Sequence, residues 1–74
     1  MTTRQRLLRS LGLRVRQLRE ARGLTQEQLG EKAELDQTYL SGIERGVRNP
    51  SIEVLARVAK ALRISLAELF EGVK

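Results

Sequence analysis

The sequence predicts an all-α domain of five short helices, and three observations carry that reading. Leu, Val, Ile and Ala recur at intervals of three and four residues along several segments instead of alternating. Residues that favour helix starts, Thr25, Asp36, Ser51 and Ser65, stand immediately ahead of four of these segments. The apolar content rests on thirteen Leu with one Tyr, one Phe and no Trp, which suits helices better than strands. A chain of 74 residues, with one Pro and no Gly/Ser-rich linker, has room for a single domain spanning 1–74.

In the first segment Leu8, Leu11, Val15 and Leu18 form one helical stripe, flanked by Arg9, Arg14, Arg16 and Arg19. This helix is expected to end at Arg22 with Gly23 as its C-terminal cap. Thr25 with Gln28 is a capping box, so a second helix should run from about Gln26 to Ala33 and bury Leu29 and Ala33. Asp36 then caps a third helix, about Gln37 to Arg45, closed by Gly46. Two short helices so close together have helix-turn-helix spacing, with a core at about 25–46. On the third helix Leu40 and Ile43 face inward, while Gln37, Thr38 and Ser41 share the outer face near its start.

Val47-Arg48-Asn49-Pro50 reads as a loop, because Pro50 biases Asn49 away from helical angles. Ser51 caps a fourth helix with Ile52, Leu55, Ala59 and Leu62 on one stripe and Val54, Val58 and Ala61 on a second strip beside it. Ser65 with Glu68 is another capping box, opening a short fifth helix that carries Leu66, Leu69 and Phe70. The wide apolar surface has two readings. The fifth helix folds back over the fourth, or Ile64, Leu66, Leu69 and Phe70 also meet a second copy of the chain, which makes about 52–73 a dimerisation region.

Composition narrows the chemistry. With no Cys and no His there is no disulfide, no thiolate or imidazole metal site and no neutral-pH acid/base group. The scattered Ser, Thr and Glu offer no nucleophile–base pairing, so neither an enzyme nor a cofactor is expected. A net charge of +5, with eleven Arg among fourteen basic residues, points to a polyanion. The basic residues are unevenly placed: seven Arg and one Glu lie in the first 22 residues, followed by Glu27, Glu31 and Glu34. Arg4 to Arg22 also has the makings of a membrane-surface helix or a transit peptide. Its stripe, however, is what a first helix needs to cover a three-helix core. No apolar run approaches membrane-spanning length and no signal-peptide core follows Met1, so a cytoplasmic location is expected.

For a helix that enters the major groove of double-stranded DNA, residue type decides which bases it reads. Gln37 suits adenine N6 and N7, Thr38 a thymine methyl or a phosphate, and Ser41 a base or the backbone. The Tyr39 hydroxyl suits a phosphate, although its ring would equally serve packing. Arg48 and Asn49 in the loop, with Arg45 nearby, suit the sugar-phosphate backbone; Arg45 would equally complement the end of its own helix. Gln26 stands at a helix N-terminus, where free N–H groups favour an anion.

Thr25-Gln26-x-x-Leu29, the run to Ile43-Glu44-Arg45-Gly46, and Arg48-Asn49-Pro50-Ser51 resemble the phage repressor and Cro type of helix-turn-helix domain, the xenobiotic-response-element family, over roughly residues 12 to 70. Tyr39 to Gly46 with Arg48-Asn49 is most similar to the controller proteins of restriction-modification systems; related loops occur in prophage repressors and in antitoxins whose main partner is a protein. The resemblance implies a repressor-like five-helix fold and a small homodimer. Such a dimer regulates its own gene together with the endonuclease gene from a roughly palindromic operator, where it blocks or recruits RNA polymerase. It also implies a phosphate clamp at Gln26 and an ion pair between Arg19 and Glu44 that holds the recognition helix. No effector domain, and so no small-molecule ligand, is implied. Two departures stand out: Glu34 where the family commonly has Gly in a left-handed turn, and Gln37 where controller-like sequences often carry Arg.

Overall fold

The computed structural model describes residues 1–74 and contains five helices and no strand: α1 (Thr3–Ala21), α2 (Gln26–Ala33), α3 (Gln37–Glu44), α4 (Ile52–Ala61) and α5 (Leu66–Leu69). Each helix starts where a side chain satisfies an otherwise orphaned N–H. Reciprocal capping boxes join Thr2 with Gln5, Thr25 with Gln28 and Ser65 with Glu68. The Asp36 carboxylate accepts from the Thr38 and Tyr39 amides, and the Ser51 hydroxyl from the Val54 amide. α1 and α3 each end one residue earlier than expected, at Ala21 and Glu44. Gly23 (φ 68°) and Gly46 (φ 76°) then take the left-handed turns that release the chain. The hydrogen bonds of its box hold the Glu68 carboxyl below its ordinary pKa, so this start signal is intact at neutral pH and is lost on acidification through that lowered value.

One core joins Leu11 and Val15 of α1, Leu29 and Ala33 of α2, Leu40 of α3, Leu55, Val58 and Ala59 of α4, and Leu62 and Leu69. Leu29, Leu40, Leu62 and Leu69 have no exposed surface, and burial of each stabilises the fold by about 1.5–3 kcal/mol. Two sequence expectations are corrected here. Ile52 is 65% exposed, because the first turn of α4 extends past the core and the buried stripe is Leu55, Val58, Ala59 and Leu62. Leu69 is sealed inside its own chain, since α5 folds back over α4, and it has no surface to offer a second copy. Ile64 and Leu66 are half-buried against the same core, and Phe70 keeps 38% of its surface.

Helix placement depends on close backbone approaches. A Cβ on Gly12 would strike the Ile43 and Glu44 carbonyls, so α1 lies directly against the end of α3. A Cβ on Gly30 would come within 2.8 Å of the Leu35 carbonyl oxygen, which lets the turn between α2 and α3 fold tightly under α2. Glu34 occupies that turn in the left-handed conformation (φ 58°, ψ 47°). Arg57 of α4 donates from Nε to the Ala33 carbonyl (3.0 Å) and from Nη2 to the Glu34 carbonyl, covering acceptors that α2 leaves open.

A left-handed non-glycine residue costs about 1 kcal/mol or more, so Glu34→Gly should raise stability by about 1 kcal/mol. Thermal unfolding should show the midpoint rising by about 4–8 °C. A midpoint that stays or falls would mean that the Glu34 side chain stabilises the turn. Gly12→Ala should do the opposite, lowering stability by about 1–3 kcal/mol as α1 is forced away from α3.

Candidate nucleic-acid interface

The side of α3 away from the core is polar and open. Leu40 and Ile43 are buried, Gln37 and Thr38 are exposed, and Tyr39 and Ser41 are half-buried. The Thr38 and Tyr39 amides are taken up by Asp36, but the side chains of these four residues make no hydrogen bond inside the fold, so their polar tips remain available to an outside molecule. Past the helix, the Val47 and Arg48 amides both donate to the Gly42 carbonyl (3.0 and 3.2 Å), which folds the loop back along α3. The Arg48 stem lies over Gly42, where a Cβ would come within 2.5 Å of its Cγ. The structure thereby brings Arg45, Arg48 and Asn49 to the far end of the surface that begins at Gln37, with Arg45, Arg48 and Asn49 all open to solvent.

Behind this surface, three helices meet at one carboxylate. Arg19 of α1 grips Glu44 of α3 with two parallel bonds, Nε to Oε2 at 2.8 Å and Nη2 to Oε1 at 3.1 Å. Its remaining nitrogen, Nη1, donates to the Leu24 carbonyl at 2.7 Å. Arg19 is 9% exposed and Glu44 8%, so the pair is shielded from water. The hydrogen bond to Glu44 holds the Arg19 guanidinium above its ordinary pKa, against the opposing effect of burial, and it stays charged at any working pH.

Gln26 of α2 completes the group, its Nε2 donating to Glu44 Oε1 at 3.0 Å. Sequence reasoning offered Gln26 an outside phosphate or a plain helix-start role; the fold gives it an inside partner. An amide nitrogen carries two hydrogens, so one N–H remains for a second acceptor. The sequence signal for this link was available only as the shared position of Gln26 and Glu44 at the two ends of the helix-turn-helix. Arg57 and Gly12 went unread for a similar reason, because their partners lie 23 or more residues away. No cluster of three or more acidic residues is placed to hold a metal ion, and no helix is long and apolar enough to cross a membrane.

A helix-turn-helix family model matches residues 15–69, which contain all of α2 to α5 and the network just described. The chain belongs to the helix-turn-helix family. This helix-turn-helix chain is similar to the control protein C.BamHI of Bacillus amyloliquefaciens, 39% identical over 72 residues that cover 96% of this chain and 86% of that one. It is 45% identical over 60 residues to the immunity repressor protein of Bacillus phage phi105, covering 81% of this chain and 42% of the repressor. Among solved structures, the restriction-modification controller protein C.AhdI of Aeromonas hydrophila superposes with a TM-score of 0.84 at 46% identity, over 85% of this chain and 96% of that one. The chain spans less than half the length of several curated relatives, the phage repressor among them.

Removing one partner from a shielded, bidentate pair leaves a charge with no counterpart. Glu44→Ala should therefore lower stability by about 3 kcal/mol or more, because Arg19 and Gln26 lose their acceptor together. Thermal melting checks this directly. A variant that melts like the parent but no longer binds its target would show that Glu44 acts at the binding surface and not through the fold.

Proposed function

We propose that this chain is a DNA-binding transcriptional regulator of the controller type, working in the cytoplasm as a homodimer on a pseudo-palindromic operator. The observation that carries this reading is the open polar edge of α3, Gln37, Thr38 and Ser41, on a helix whose angle is fixed from behind by the Arg19–Glu44–Gln26 group. Such a helix enters a major groove with its first turns, where polar tips meet base edges. Gln37 pairs with adenine, Thr38 contacts a thymine methyl or phosphate, and Ser41 reaches a base or the backbone. Gln26 offers its free N–H to a phosphate beside the α2 N-terminus, and Tyr39, Arg45, Arg48 and Asn49 anchor the flanking backbone.

Dimerisation supplies the second half-site. Ile64, Leu66 and Phe70 leave an apolar edge at the α4–α5 end, and a second copy would cover it. The protomer is 31 Å in its longest dimension, so two copies related by a two-fold axis can present their α3 helices one DNA turn, ~34 Å, apart. The controller reading is supported by the similarity to the control protein C.BamHI and to the restriction-modification controller protein C.AhdI, the latter at 46% identity with a TM-score of 0.84. Bound near a promoter, the dimer would block or recruit RNA polymerase, controlling an endonuclease gene together with its own.

Selection of bound duplexes from a random pool tests this reading. The recovered sites should have two-fold symmetry, with an adenine under Gln37. Gln37→Arg should move that position toward guanine with a discrimination change of about 1–3 kcal/mol, since arginine forks onto guanine O6 and N7. Sites without symmetry would rule out the dimeric reader, and an unshifted preference in the variant would remove Gln37 from base contact.

A further inference from the structure

We infer that the first turns of α1 are a second phosphate-binding strip, continuous with the loop after α3 and occupied by the DNA backbone beyond the base pairs that α3 reads. The inference rests on the DNA-binding reading above and extends the contact surface to Arg6 and Arg9, with Arg4 at its end. Contact between the two segments is direct. Gly46 turns left-handed at the end of α3, and a Cβ there would lie 2.8 Å from Arg9 Cα and 3.0 Å from Arg9 N. The backbone of α1 at Arg9 is thus laid against the residue that separates Arg45 from Val47 and Arg48. On α3 itself Thr38, Ser41 and Arg45 follow one another at three and four residues, so one helix face leads from the reading edge to that junction.

Charge picks out the same two segments. Residues 1–13 carry Arg4, Arg6 and Arg9 and residues 45–52 carry Arg45 and Arg48, with no Asp or Glu in either. The other nine basic residues are equal in number to the nine acidic ones, so the formal net charge of +5 resides in these five arginines. All five reach solvent, and none is in either of the two ion pairs of the fold, Arg16–Glu20 and Arg19–Glu44. Local stability does not account for the α1 arginines. The start of a helix is its positive end, where acidic residues help and cations oppose the dipole, yet α1 has no acid in its first turn. The Thr2–Gln5 capping box secures that turn, so the arginines stand on formed helix. Exposed, unpaired guanidiniums beside a phosphate-gripping loop fit an evenly spaced anionic backbone, which demands no side-chain specificity.

The test is DNA binding by the full chain across a salt series, on the duplex recovered by selection and on unrelated duplexes. Arg6→Gln/Arg9→Gln keeps the stem that packs on Gly46 and removes two charges per protomer. Each phosphate that is no longer neutralised should reduce the slope of log affinity against log salt by about 0.9, so a dimer should lose about 3 to 4 from its slope. Binding should weaken to a similar extent on every sequence, while the order of preference among duplexes and the melting temperature stay those of the parent. The exposed single variant Arg6→Gln should give about half the slope change, and Lys60→Gln on the last turn of α4 should give none. An unchanged slope in the folded double variant would overturn the inference. So would altered transcription at unchanged DNA affinity, which would place a protein on the strip, or a weakening confined to particular sequences. If the parent chain itself shows no salt-dependent DNA binding, the DNA-binding reading fails first, and the two failures are told apart.

Discussion

Everything that orients α3 converges on the Glu44 carboxylate. A helix of eight residues is too short to be stable alone, and its own hydrogen bonds do not set its direction. Leu40 and Ile43 fix its depth in the core, but apolar packing is non-directional and tolerates small rotations. The two-pronged Arg19 grip is directional, because a planar guanidinium accepts a carboxylate in one orientation. Gly12 permits this geometry by letting α1 lie on the carbonyls at the end of α3. Gln26 then ties the start of α2 to the same carboxylate, so the two ends of the helix-turn-helix share a single anchor. A shielded ion pair adds little net stability over a well-packed apolar contact; what it supplies here is the angle.

Helix positions were legible in the sequence because capping and periodicity are local. Thr25, Asp36, Ser51 and Ser65 each mark a helix start that the structure contains, and Gly23 and Gly46 mark ends to within a residue. The left-handed turn at Glu34 was legible only through family resemblance, since nothing in Glu34 itself favours that conformation. Where sequence reasoning failed, the deciding partner was distant. Periodicity assigned Ile52 to the buried stripe of α4, but the core ends before the first turn of that helix. Leu69 had the right spacing for either a core or an interface, and only the folding of α5 over α4 decides that it is core. The polar tips at Gln37, Thr38 and Ser41 were placed outward by helix geometry alone, whereas the second role of Gln26 required knowing where Glu44 would come to rest.

On the DNA-binding reading proposed above, affinity and discrimination would be carried by different residues of this chain. The exposed arginines are cations with no base preference in their placement, while Gln37, Thr38 and Ser41 are neutral and contribute nothing to long-range attraction. A reader built this way would be drawn to any duplex by charge and would sort duplexes by a handful of short-range hydrogen bonds. Each good base contact discriminates by about 1–3 kcal/mol, so three such side chains on one helix would supply roughly 3–9 kcal/mol, against the roughly 4–10 kcal/mol that separates specific from non-specific binding in typical regulators. On the dimeric reading proposed above, repeating the helix on a symmetry-related copy would double the number of readings without enlarging the core. The apolar edge at Ile64, Leu66 and Phe70 lies at the α4–α5 end, so pairing there would leave the α3 edge open to the groove.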